Sequence, residues 1–286
     1  MKINIKLLRN SALVLGVLFV FGCAGKSYKN IDYLANSDIP ATYKLEEEHL
    51  PSLNVFAPPK AENAPVIIFV HGGNWNSGKK ETYWFLGRNF AKKDIVTVIP
   101  GYTLSPRVNC EVMAKEIAEA VHWTKENIAQ YGGDPEQIYV MGHSAGGHLV
   151  ALISTNPTYL KNPSEYIKGV ILNDAAKLDA YSLLQIDPPT AKFDYATTWT
   201  TSPTEWKNAS PIYYLDEETP TMKVYIGTET YKSILFYNKA FLEELRQYQP
   251  DAEGIYLDKK HVPMMSQFVW PWNDRYKEIV EFIESN

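Results

Sequence analysis

Ser144 stands at the centre of Gly142-His143-Ser144-Ala145-Gly146, between a short apolar run at 137–141 and a helix-forming stretch at 145–154. That context gives the pentapeptide meaning. A sharp strand-to-helix turn forces a serine into a strained backbone and projects its hydroxyl above the sheet, while helix N-terminal amides point at developing negative charge. The chemistry implied is acyl transfer to a serine nucleophile. A second motif, His71-Gly72-Gly73-Asn74-Trp75, directly follows the apolar run 65–70. Acyl transfer builds an oxyanion that needs pre-positioned N–H donors, and a Gly-Gly turn can aim them. The N–H of Gly73 or Asn74, paired with that of Ala145, is the expected oxyanion hole. His71 reads as a structural residue that bonds its own loop.

A serine nucleophile needs a base, and the chain has six histidines. His49 and His71 precede the serine, His122 falls within a helical stretch, and His143 and His148 flank Ser144. His261 follows a late strand at 254–257 and precedes a terminal helix, which makes it the base. The acid is expected at the end of the strand 222–226, where Gly227-Thr228-Glu229-Thr230 offers Glu229. A carboxylate there orients the imidazole and stabilises its charged form. Asp258, Asp174 and Asp179 are the rivals, and Glu229 read blandly is a solvated loop residue. With Cys23 set aside, Cys110 is left alone at a helix start, a packing residue in a chain with no Cys-based metal site. No metal or organic cofactor is expected.

The elements that must position these residues alternate. Strand-like segments at 65–70, 95–99, 137–141, 167–172, 222–226 and 254–257 are separated by helical stretches at 81–93, 111–131, 145–154 and 233–247, with 263–283 last. This order implies an α/β fold with a mainly parallel sheet and helices on both faces. The segment 53–57 reads as an edge strand. Residues 43–286 form one catalytic domain, and 177–211, with Tyr181, Phe193, Tyr195, Trp199 and Trp206, reads as a small helical cap inserted into it. At the N-terminus Lys2, Lys6 and Arg9 precede an apolar run from 12 to 21, the layout of a secretory signal over 1–22 and too short to span a bilayer. Val20-Phe21-Gly22-Cys23 resembles a bacterial lipobox. Lipid on Cys23 would anchor an exported protein, with the outer membrane favoured because no Asp follows the Cys, and 23–42 would be a tether. The net charge of −5 argues against nucleic acid as a partner.

Taken in order, His71-Gly72-Gly73-Asn74-Trp75, Gly101-Tyr102-Thr103-Leu104-Ser105-Pro106, Gly142-His143-Ser144-Ala145-Gly146-Gly147-His148, Asn208-Ala209-Ser210-Pro211 and His261 resemble the carboxylesterase and kynurenine-formamidase-like branch of the α/β-hydrolases, which includes feruloyl and acetyl esterase-like members. The resemblance covers about 50–286. It departs at Thr103 and Ser105, where the family usually has Arg and Ala, and in a Glu where the family commonly has Asp. It implies an α/β-hydrolase fold and a serine esterase that forms an acyl-enzyme on a small aryl or sugar ester. Aryl formamide cleavage by the same triad is the neighbouring reading, and a non-catalytic binding protein on this fold is the reading from another class.

Overall fold

The computed structural model describes residues 25–286; the expected signal segment 1–22 and Cys23 lie outside them. Eight strands form one sheet: β1 (Lys26–Ile31), β2 (Leu53–Ala57), β3 (Ala64–Val70), β4 (Val96–Pro100), β5 (Gly133–His143), β6 (Gly169–Asn173), β7 (Thr221–Gly227) and β8 (Gly254–Leu257). Their order is β1-β2-β4-β3-β5-β6-β7-β8. The pairs β1/β2 and β2/β4 are antiparallel, and all the others are parallel. Strands buried on both faces read as unbroken apolar runs, and β3 is one. Its Val66, Ile68 and Val70 enter one core while Ile67 and Phe69 enter the other.

The helices are α1 (Ile39–Thr42), α2 (Trp84–Ala91), α3 (Cys110–Asn127), α4 (Ala145–Thr155), α5 (Pro163–Tyr166), α6 (Ala180–Ile186), α7 (Tyr195–Thr198), α8 (Pro203–Asn208), α9 (Lys232–Leu245), α10 (His261–Ser266) and α11 (Asp274–Glu284). The first core takes Ile117 and Val121 of α3, Leu149 and Leu152 of α4, and Phe241 of α9. The second takes Leu86 and Phe90 of α2, and Tyr276, Ile279 and Phe282 of α11. Helices therefore cover both faces, as the strand-helix alternation implies. Among the described residues no helix is long and apolar enough to cross a membrane.

Two expectations are corrected. Residues 26–31 are not tether but β1, whose Lys26, Ser27 and Tyr28 pair with Ala57, Phe56 and Val55. Behind it Tyr33, Leu34 and Ile39 are buried in the first core. Consequently β2 is not an edge strand but an inner one with every residue buried. The physical reason is that β1 is held by its backbone, with side chains almost all in solvent, so no apolar alternation marks it.

The chain lays β4 on one side of β3 and then crosses to lay β5 on the other. The carboxyl ends of strands at such a reversal open a crevice where ligands bind in α/β sheets. His71 follows β3, Ser144 follows β5 and Asp174 follows β6, so all three emerge at that edge. Between β6 and β7 the short helices α6, α7 and α8, with a 3-10 turn at Lys192–Asp194, fold over it.

Candidate active site

Ser144 occupies φ 55°, ψ −120°, a region side chains avoid, between the last residue of β5 and the first of α4. The turn is held by its neighbours: the Ser144 N–H donates to Asn173 O (3.3 Å), and Ser144 O accepts from His148 N–H (3.0 Å) and Ala176 N–H (3.1 Å). The flanking glycines are required by close approach. A Cβ on Gly142 would lie 2.3 Å from Gly146 O, and one on Gly146 would lie 2.1 Å from Val70 O. Strain of this kind costs about 1–3 kcal/mol and persists where its surroundings over-determine it.

His261 begins α10, and its Nε2 lies 2.8 Å from Ser144 Oγ. Its Nδ1 lies 2.6 Å from Asp174 Oδ2. The Asp174 carboxylate is fully buried and takes two further donors, the Gly227 N–H at Oδ1 (2.9 Å) and the Thr230 hydroxyl at Oδ2 (2.5 Å). The acid beside His261 is thus Asp174, not Glu229. The Glu229 N–H is bound to Lys259 O, and the residue faces solvent. Asp258 accepts from the Thr228 hydroxyl, and Asp179 caps α6 by accepting from Ser182 N–H. The end of β7 and the turn after it, where Glu229 lies, supply Gly227 and Thr230, which hold the Asp174 carboxylate. Register explains the choice: β6 lies directly between β5 and β7, with Asn173 opposite both His143 and Tyr225.

His143 packs its ring on that of His261, centroids 4.7 Å apart, and donates from Nε2 to His261 O (3.1 Å). Burial pushes the His143 imidazole down to about 3, so it stays neutral beside His261. From below, Asn173 donates to Met264 O (3.0 Å) and ties α10 to β6.

The loop after β3 carries three consecutive positive φ values: Gly73 at 131°, Asn74 at 55° and Trp75 at 59°. At Gly73 a Cβ would sit 2.0 Å from Ser77 O, so that turn closes only around glycine. Gly73 O accepts from the Ser77 N–H (2.9 Å) and hydroxyl (2.7 Å). Among the described residues the N–H groups of Gly73, Asn74 and Ala145 have no acceptor. His71 is structural in its contacts: Nδ1 donates to Gly72 O (2.8 Å), its ring stacks on Tyr102, and burial lowers its pKa. Tyr102 donates to His71 O (3.0 Å), and Ser105 N–H donates to Trp75 O (3.0 Å), so the segment 101–106 braces the loop. Glu116 of α3 holds that segment by accepting from the N–H and hydroxyl of Thr103, both at 2.6 Å.

A cleft of about 930 Å³ opens at Ser144 between this loop, α10 and the cap. The cap is joined to the loop by Tyr195, whose hydroxyl donates to Asn74 Oδ1 (2.5 Å), and by Asn76, which donates to Phe193 O (3.0 Å). Beneath, Trp75 packs edge-on against Trp199 and His148. His148 donates from Nε2 to Ala209 O (2.8 Å), and burial lowers its pKa to about 4. Sequence reasoning missed Thr230, Asn76 and Glu116, whose partners Asp174, Phe193 and Thr103 stand 56, 117 and 13 residues away in the chain. Among the described residues no group of three or more His, Cys, Asp or Glu could hold a metal ion.

The chain is 31% identical over 193 residues to esterase LipQ of Mycobacterium tuberculosis, a match covering 64% of this chain and 46% of LipQ. It is 31% identical over 121 residues to kynurenine formamidase of Salmo salar, covering 42% of this chain and 40% of that protein. The chain thus spans less than half the length of either of these curated relatives. Esterase Est2 of Thermogutta terrifontis, solved with butyrate bound, shares the fold at a TM-score of 0.69 and 21% identity, over 85% of this chain and 92% of that one. The BD-FAE family model matches residues 53–230, more than half of the chain, which therefore belongs to the BD-FAE family and is a carboxylesterase-like protein of the α/β-hydrolase fold.

Proposed function

We propose that the protein hydrolyses carboxylic esters through an acyl-enzyme on Ser144. The observation that carries this is the unbroken chain from Ser144 Oγ to His261 Nε2 and from His261 Nδ1 to Asp174. His261 takes the Ser144 proton as Oγ attacks the acyl carbon, then gives it to the departing alkoxide. A water, deprotonated by His261, attacks the acyl-enzyme and releases the acid. Asp174 holds the tautomer with a proton on Nδ1 and stabilises the imidazolium. The oxyanion is held by the N–H groups of Ala145 and of Gly73 or Asn74, donors without another acceptor among the described residues. Labelling with a fluorophosphonate and turnover of p-nitrophenyl acetate test the reading. Both are expected for the wild type, with a loss of about 10⁴-fold or more in Ser144→Ala. Turnover retained in Ser144→Ala would overturn it.

The likeness to kynurenine formamidase supports a second bond type for the same machinery, the aryl formamide. The ratio of rates on aryl formamides and acetyl esters separates the two. We also propose lipid attachment at Cys23, on the strength of Val20-Phe21-Gly22-Cys23. Since β1 starts at Lys26, such an anchor would leave almost no tether between lipid and sheet. Labelled palmitate should enter the wild type and not Cys23→Ala.

A further inference from the structure

The cleft at Ser144 contains one full charge that the ester chemistry does not use. Lys177 lines it, three residues beyond Asp174, and among the lining residues there is no Asp, Glu or Arg. Its Nζ lies 4.9 Å from the centre of the Tyr195 ring and 5.4 Å from that of Trp199. Those π-faces fix the ammonium in place but offer no lone pair. Among the described residues no carboxylate forms an ion pair with it and no oxygen accepts a hydrogen bond from it. Asp187, beyond the end of α6, acts on it only from a distance. A largely desolvated ammonium with three idle donors is costly unless something arrives to pair with it.

The chemistry of the partner can be read from the same surroundings. One cation matches one negative charge, and a phosphate dianion would be left half compensated. Trp75, Leu183, Phe193 and Ile234 give the cleft apolar walls suited to a short carbon chain or ring. We propose that Lys177 is a specificity residue that binds a carboxylate on the substrate, so that the favoured esters are half-esters of dicarboxylic acids. This rests on the ester-hydrolase reading above. Burial also lowers the Lys177 pKa, to about 8, so the ammonium form still predominates at neutral pH.

The test compares each carboxylate-bearing ester with a neutral partner in which methyl replaces carboxylate. Monomethyl succinate, glutarate and adipate are set against methyl butyrate, pentanoate and hexanoate. The expected wild-type result is a kcat/KM at least ten-fold higher for the half-ester of best length. That ratio should collapse about ten-fold or more in Lys177→Met and survive in Lys177→Arg. A wild-type ratio near one at all three lengths overturns the proposal, as does an equal loss on both substrate types in Lys177→Met. Calorimetry of monomethyl adipate with Ser144→Ala, and with Ser144→Ala carrying Lys177→Met, needs no turnover. If neither ester class is cleaved, binding abolished by the Lys177 change sustains the carboxylate site while the ester-hydrolase reading falls. Binding unaffected by that change sinks the site itself.

Discussion

At the scale of single residues, the proton route depends on which carboxylate faces His261. Asp174 is buried and takes donors from Gly227, Thr230 and His261, so its two oxygens have no freedom to turn. An Asn there presents an N–H₂ group to Nδ1 and inverts the imidazole tautomer, leaving a proton on Nε2 where Ser144 must donate. Asp174→Asn should therefore lose about 10³- to 10⁴-fold in kcat on p-nitrophenyl acetate with little change in fold. Glu229→Gln, which alters an exposed side chain, should stay within about two-fold. Equal losses in the two variants would contradict this assignment. The meeting of Ser144 with His261 was legible from the chain because their signals are local: a turn between strand and helix, and a late histidine. The acid was not, since choosing between the ends of β6 and β7 needs the register of three strands. One signal was available: Asp174 comes directly after an apolar strand, as Ser144 comes directly after β5.

At the scale of elements, burial decided what could be read. Strand β8 falls at 254–257 as its pattern implies, and the largely buried β3, β6 and β7 lie within a residue or two of their apolar runs. Strand β1 was illegible because its contribution is almost wholly main-chain pairing, with Lys26 and Lys29 keeping an edge strand from pairing with other chains. Its few side-chain ties confirm the docking: Asn30 N–H donates to Asn54 Oδ1 (3.0 Å), and Lys80 donates to Asn30 Oδ1 (3.1 Å). Removing residues up to 31 would uncover the backbone of the fully buried β2. The truncated protein should melt at least about 5 °C lower by calorimetry and aggregate on heating, with turnover at 25 °C largely kept. A free tether would predict no change in melting temperature.

At the scale of the whole molecule, three buried titratable groups pull stability in opposite directions with pH. His143 and His148 are held neutral, at about 3 and about 4, by desolvation. Protonating His148 would also put an N–H on Nδ1, the atom that now faces the Cys110 thiol. Because their folded pKa values are depressed, the unfolded chain binds protons first. The stability they contribute is complete above about 6.5 and drains away as pH falls toward 4 and 3. Glu116 works the other way. Burial raises its carboxyl from 4.5 to about 7, against the hydrogen bonds from Thr103. Its contribution is complete below 4.5 and is lost as pH rises through 7. Between 4.5 and 6.5 two histidines outweigh one glutamate, so these groups together place the stability maximum near pH 6.5. Glu116→Gln keeps an acceptor for the Thr103 N–H while removing the ionisation. Relative to the wild type, the variant should gain about 3 kcal/mol in unfolding free energy between pH 4.5 and 7.5, measured by denaturant titration. Parallel curves for the two proteins over that range would mean that Glu116 is already ionised in the fold. The brace under the loop after β3 would then be a charged one.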